Sequence, residues 1–211
     1  MQATGGDMQG HWKDFLIRDE TAGDLGGNLR HGDGQTVTPA LWQALIDRYA
    51  PRVLLDAGAG EGHAAAFFAR RGVHAHGFDG LPGNVARAVH PLALHDLKAG
   101  PYVYPCDLVL CVEVVEHVHP DHLEALLATL TNAPVIVMTH ALPGQRGHHH
   151  VNLQPPDYWV GLLDARGYRP AIDIPHLRAI ARAEREDSFF AQTGLVFLKS
   201  SATSSATGPR P

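Results

Sequence analysis

Two groups of residues in this 211-residue chain carry types and spacings suited to chemistry. The first is Asp56, Gly58, Gly60 and Gly62, in the pattern Asp-x-Gly-x-Gly-x-Gly, directly after the apolar run Val53, Leu54 and Leu55. Glycines at that spacing permit a tight turn and a close backbone approach to a ligand, and the helix they lead into starts with unpaired N–H groups. A dinucleotide fingerprint, G-x-G-x-x-G, would need its third glycine where His63 stands. The second group is the histidine-rich stretch of residues 139–156, with His140, His148, His149 and His150. Near neutral pH an imidazole of ordinary pKa, about 6.5, is mostly free to take a proton, so this stretch offers general bases.

Between these groups lie acidic residues at telling intervals. Asp79 ends a predicted second strand about 20 residues beyond the glycines, where a carboxylate can hold ribose hydroxyls; alone, it could equally cap a turn. His95, Asp96 and Leu97 follow a short third strand, and Asp96 could also form an Asx turn. Glu113, Glu116 and His117 follow the fourth strand. Glu113 is expected at the carboxyl edge of the sheet, facing the cleft; for Glu116, capping or a buried ion pair is an equal alternative to function.

The elements that must position these residues alternate between strand and helix, which implies a mostly parallel sheet covered on both faces. Strands are expected near residues 53–55, 73–78, 92–94, 107–112, 134–138, 171–174 and 194–198. Helices are expected over 39–50, 62–71, 83–89, from 120, over 154–167 and over 177–186. Thr38 with Pro39 marks a helix start, and Leu123, Leu126, Leu127 and Leu130 recur at core-facing spacing. Residues 1–38, with a short helix predicted over 12–18, form a segment able to cap the cleft. Residues 39–199 form the domain, and 200–211, rich in Ser, Thr, Ala, Gly and Pro, are expected to be disordered. Cys106 and Cys111 do not form a C-x-x-C pair; they read as reduced core thiols, and their odd separation predicts opposite faces.

In their order and places the glycine loop, Asp79, Asp96 and the Glu113-to-His117 motif resemble the class I S-adenosylmethionine (SAM)-dependent methyltransferases. The resemblance covers roughly residues 52–198. It implies a Rossmann-like, doubly wound α/β fold: a seven-stranded sheet, mostly parallel, with the last strand antiparallel. It implies S-adenosyl-L-methionine as cofactor, with Asp56 bracing the loop, Gly58, Gly60 and Gly62 beside the methionine moiety and Asp79 on the ribose. Asp96 and Leu97 would meet the adenine, and Glu113 the methionine end or the acceptor.

The expected reaction is methylation of a small molecule or sugar-like metabolite, on oxygen, with a base drawn from His148, His149, His150, His140 and His117. Nitrogen methylation, with Glu113 assisting, is the nearest alternative; a non-catalytic SAM or nucleotide module and an NAD-dependent oxidoreductase are others. Adjacent histidines beside Asp or Glu can bind a divalent ion, but consecutive side chains diverge, and the sequence singles out no metal ligand. The net charge of -5 and the lack of a basic run argue against a nucleic-acid partner. No apolar run reaches membrane-spanning length and no signal sequence is evident, so a cytoplasmic location is expected.

Overall fold

The computed structural model describes residues 23–27, 29 and 31–200. An interior strand, β1 (Val53–Ala57), is covered on both faces, as a strand between parallel neighbours requires. β2 (His74–Asp79) and β4 (Leu108–Cys111) flank it in parallel. β3 (Ala93–Leu94) extends the sheet beyond β2, and β5 (Val135–Met138) beyond β4, again in parallel. β7 (Leu195–Lys199) joins β5 antiparallel, and β6 (Tyr168–Pro170) pairs antiparallel with β7. The seven-stranded order is β3-β2-β1-β4-β5-β7-β6. Strand order reverses between β1 and β4, which opens a crevice at their carboxyl ends.

Side-chain alternation along each strand divides the interior into two cores. Leu54, Leu108, Leu110 and Val137 pack under α1 (Pro39–Tyr49), α2 (His63–Ala69), α6 (Ile174–Glu184) and α7 (Phe189–Thr193). Leu55, Val109, Ile136 and Phe197 pack on the other face against α4 (Leu123–Leu130) and α5 (Pro156–Asp164). A short α3 (Pro82–Arg87) follows β2. Each fully covered Leu, Ile, Val or Phe contributes roughly 1.5–3 kcal/mol to holding the sheet that frames the crevice.

Four expectations are corrected. The sixth strand is Tyr168–Pro170, not residues 171–174: the Tyr168 ring is buried, its hydroxyl donates to the Ala133 carbonyl at 2.7 Å, and Ile172 is 93% exposed. Pro170, lacking an N–H, is tolerated because β6 is an edge strand. The helix expected from residue 120 opens as a 3-10 turn (Pro120–His122) before the α-helix proper. Helix α7 was not anticipated; Ser188 caps it by accepting from the Ala191 N–H at 3.1 Å. Finally, Cys106 and Cys111 pack against the same core. Cys106 precedes β4, so strand alternation does not reach it. Both thiols are free, and burial raises the pKa of each, that of Cys106 to about 12. The helix expected over 12–18 and the tail from 201 onward lie outside the described residues.

Candidate active site

The glycine loop leaves β1 and turns back under the carboxyl end of β2. Gly58, Gly60 and Gly62 all adopt positive φ, at 70°, 57° and 77°, a region that penalises any residue with a Cβ. A Cβ on Gly58 would lie 2.5 Å from Val114 Cγ2, whereas one on Gly60 would meet nothing within 4 Å. Gly60 therefore presents bare backbone to the open cleft. The loop's donors are largely engaged inside the protein. Gly58 and Ala59 donate to the Phe78 carbonyl, Gly62 to that of Ala59, and Gly60 to Asp79 Oδ2 at 2.8 Å. A pyrophosphate cradle needs such N–H groups free; this loop instead offers shape and carbonyl polarity.

Two buried carboxyls brace it. Asp56 accepts from the Ala65 N–H at 3.1 Å, tying β1 to α2. Burial, with a smaller contribution from the Asp79 charge, pushes the Asp56 pKa up to about 7. Asp79 accepts from the N–H groups of Gly60 and Leu81 and from Asn84 Nδ2, yet burial still raises it to about 6. Each carboxylate oxygen can accept more than one bond, so Asp79 keeps capacity toward the cleft. Asp96 accepts from the Lys98 N–H at 2.9 Å and pairs with Lys98 Nζ at 3.1 Å; Leu97 beside it is buried.

The opposite wall grows from the carboxyl end of β4. Glu113 holds a left-handed φ of 54°, uncommon for a residue with a side chain and a mark of a constrained site. Thr139, at the end of β5, secures it: the Glu113 N–H donates to Thr139 Oγ1 at 2.7 Å, and that hydroxyl donates to Glu113 Oε1 at 2.8 Å. The next residues form a 3-10 turn (Val115–His117) that buries Glu116 completely. Burial raises the pKa of both glutamates, and the charge of Glu113 drives Glu116 further upward.

The histidine loop is fastened to that turn. Val151 and Asn152 N–H groups both donate to the Glu116 carbonyl, at 2.9 and 3.0 Å. The His117 ring bonds through Nδ1 to the His149 carbonyl at 3.1 Å, and its centroid lies 5.0 Å from that of His150. Burial pushes the His117 pKa down to about 4. His140 is set apart: it is buried beside Trp159 and does not line the cleft.

Between the two walls lies a cleft of about 1140 Å³, lined by Asp56, Gly58, Gly60, Asp79, Asp96, Leu97 and Glu113 and by His117, His148, His149 and His150. That exceeds the common range of about 300–1,000 Å³ for small-ligand sites, leaving room for two reactants. Gly62, Glu116 and His140, of the residues singled out by sequence, are not in the lining. The segment before α1 contributes Leu25, Gly26, Gly32, Asp33 and Gln35 to the wall. It is anchored by Glu61, only 4% exposed, which accepts from the His31 N–H at 3.2 Å and from Arg87 Nε at 2.7 Å. Gly26 lies against the His117 ring, where a Cβ would collide.

Sequence reasoning missed Glu61, Asn84 and Thr139. Glu61 sits inside the glycine motif as an unspecified position, and Thr139 immediately precedes His140, so position at a strand end was the only available signal. Asn152, at the end of the histidine loop, is buried and donates from Nδ2 to the Val115 carbonyl at 3.5 Å.

A family model described as a methyltransferase domain matches residues 35–171, more than half of the chain. The chain belongs to the methyltransferase-domain family. Membership makes it an enzyme by class. The matched region of this methyltransferase runs from the cleft-lining segment through the glycine loop, both acidic strand ends and the histidine loop to the end of β6.

Solved structures share the fold. A SAM-dependent methyltransferase from Archaeoglobus fulgidus is 17% identical, over 79% of this chain and 95% of that one, with a TM-score of 0.56. Magnesium protoporphyrin IX methyltransferase from Synechocystis, with bound SAM, is 18% identical over 79% of each chain, with a TM-score of 0.55. The cyclase SpnF is 15% identical over 80% of this chain and 85% of that one, with a TM-score of 0.53. No curated protein sequence matches this methyltransferase. Among the described residues no helix is long and apolar enough to cross a membrane.

Proposed function

We propose that this methyltransferase uses S-adenosyl-L-methionine to methylate an oxygen of a small molecule or sugar-like metabolite, with a histidine of the 148–150 loop as general base. The observation that carries the reading is the pairing of one glycine-rich wall, whose N–H groups are engaged internally while Gly60 stays bare, with a facing wall of carboxyls and imidazoles. The first wall fits the methionine end of the cofactor, Asp79 its ribose, and Asp96 with Leu97 its adenine; Asp56 and Gly62 hold the loop from behind. When bound, the cofactor supplies a methyl group on a sulfonium, open to in-line attack.

The residues of the facing wall orient the acceptor and take its proton. His148 and His149 line the cleft and serve the proton transfer. His117, with a pKa pushed down to about 4, is too weak a base near neutral pH to lead it. His140, buried away from the cleft, supports the loop instead. A nitrogen acceptor is the second reading, favoured by the Glu113 carboxylate at the sheet edge, which could accept from an amine.

Calorimetry with SAM, followed by turnover to S-adenosylhomocysteine with hydroxyl and amine acceptors, tests both. His148→Ala or His149→Ala should lower turnover of a hydroxyl acceptor by roughly 10²- to 10⁴-fold if that residue is the base, with SAM affinity held within about twofold. Full turnover in His148→Ala, His149→Ala and His150→Ala alike would remove the loop-base role. SAM binding without turnover of any acceptor would favour a binding module, and NAD binding without SAM binding would overturn the cofactor assignment.

A further inference from the structure

Glu116, in the turn after β4, carries an acidic group in the interior. It is fully buried, and among the described residues its carboxyl has no hydrogen-bond partner apart from the Glu113 carboxyl and its own backbone N–H. Its neighbour in the site, Glu113, adds a second carboxyl against it, and no lysine or arginine among the described residues bonds either group. A fully buried carboxyl against a half-buried one needs a shared proton or a cation to be tolerated.

Imidazoles complete the surroundings. One ligand atom from each of Glu116, His117 and His150 lies within 4.8 Å of the others. Both rings turn Nδ1 toward a backbone carbonyl, His117 to His149 at 3.1 Å and His150 to Gln145 at 3.3 Å. A carbonyl can only accept, so Nδ1 carries the proton in each ring and Nε2 keeps the lone pair, as in metal-ligating histidines oriented by a backbone oxygen. Atoms bound at about 2.0–2.2 Å to one ion lie roughly 3–4 Å apart, so the widest pair must close by roughly 1–2 Å to assemble the set. The divergence of consecutive side chains is no obstacle, because the group takes only His150 from the histidine run and its other members from the turn after β4.

We propose that Glu116, His117 and His150 form a site for a divalent transition-metal ion at the acceptor wall of the cleft. Two imidazoles and a carboxylate suit zinc, cobalt, manganese or ferrous iron better than magnesium or calcium, which prefer all-oxygen shells. His117 and His150 line the cleft beside His148 and His149, so an ion held by them and Glu116 would polarise an acceptor oxygen and ease loss of its proton. That catalytic use rests on the methyl-transfer reading above; binding of the ion does not.

The test is titration of the chelator-stripped full chain with Co²⁺, read by calorimetry and by visible absorption, with SAM affinity measured on the same samples. The proposal expects one equivalent of Co²⁺ with ligand-field bands. It expects at least about tenfold weaker binding in each of Glu116→Gln, His117→Ala and His150→Ala. A control, His176→Ala, changes an exposed histidine outside the cleft lining and should leave the high-affinity equivalent intact. Because Glu116 is buried, its near-isosteric glutamine variant is also melted without metal. An unchanged or higher Tm with Co²⁺ binding lost supports a ligand; a lower Tm with Co²⁺ binding retained makes Glu116 structural and overturns the proposal. Absence of a stoichiometric equivalent, or binding indifferent to the three site variants, also overturns it. Loss of Co²⁺ with SAM affinity retained separates this site from the cofactor reading, and failure of SAM to bind while Co²⁺ still binds would refute that reading alone.

Discussion

Gly58→Ala places a methyl group where the structure has no room for one. Position 58 holds a φ of 70°, and the added Cβ would lie 2.5 Å from Val114 Cγ2 and 3.2 Å from Val114 Cγ1. The left-handed backbone costs an alanine roughly 1–2 kcal/mol. The overlap adds about 1–3 kcal/mol, because a β-branched side chain has few rotamers in which to yield. The sum is about 2–5 kcal/mol. If the loop holds its shape, the whole fold bears that cost and Tm falls by roughly 4–20 °C for a chain of this size. If the loop relaxes, SAM affinity falls instead, by roughly 30- to 3,000-fold at 1.4 kcal/mol per decade. Calorimetry and thermal melts on Gly58→Ala, Val114→Ala and the double variant apportion the two parts. The double variant should recover the overlap, giving a favourable coupling of about 1–3 kcal/mol, while the backbone penalty remains. Unchanged Tm and SAM affinity in Gly58→Ala, or zero coupling with Val114→Ala, would refute the steric account of the loop.

Two further predictions concern the braces behind the site. Asp56, raised to about 7 mainly by burial, keeps its proton in the folded state between about pH 4 and 7 while the unfolded chain has released it. Its contribution to stability is therefore complete below about pH 4 and is lost as pH rises toward 7. In urea titrations the stability of Asp56→Asn relative to the natural protein should climb across that window, by no more than about 4 kcal/mol at 1.36 kcal/mol per pKa unit; a constant difference would sink the assignment. Tyr168→Phe removes the hydroxyl that donates to the Ala133 carbonyl at 2.7 Å, which should cost about 1–2 kcal/mol in urea unfolding and leave SAM affinity unchanged. A stability loss below the error of the fit would show that this bond does not secure β6.

Much of the framework was legible in the chain because it is written in local terms. A buried parallel strand is a short apolar run, a left-handed turn is a glycine, and a helix in contact with a core repeats its leucines at three and four residues. Val53 to Leu55, Gly58 to Gly62 and Leu123 to Leu130 each satisfied one of these rules without needing any distant partner. Boundaries were less legible. The sixth strand is fixed by the Tyr168 hydroxyl reaching backbone between α4 and β5, about 35 residues earlier, and not by the apolar residues at 171–174 that a pattern selects. Cys106 escaped the alternation rule because it lies before its strand begins.

The site divides the same way. Residue types along the sequence determined that a glycine loop and a histidine loop exist, each suited to its own chemistry, and the resemblance set out the acidic residues between them. Only the tertiary structure decided that the histidine loop docks through Val151 and Asn152 onto the carbonyl of Glu116, that His140 turns away from the cleft, and that Glu61 fastens the segment before α1 over it. Those outcomes depend on hydrogen bonds between residues about 30 positions apart and on which groups burial strips of water. Neither quantity is encoded in spacing along the chain, and both arise once the sheet brings the carboxyl ends of β1, β4 and β5 to one edge.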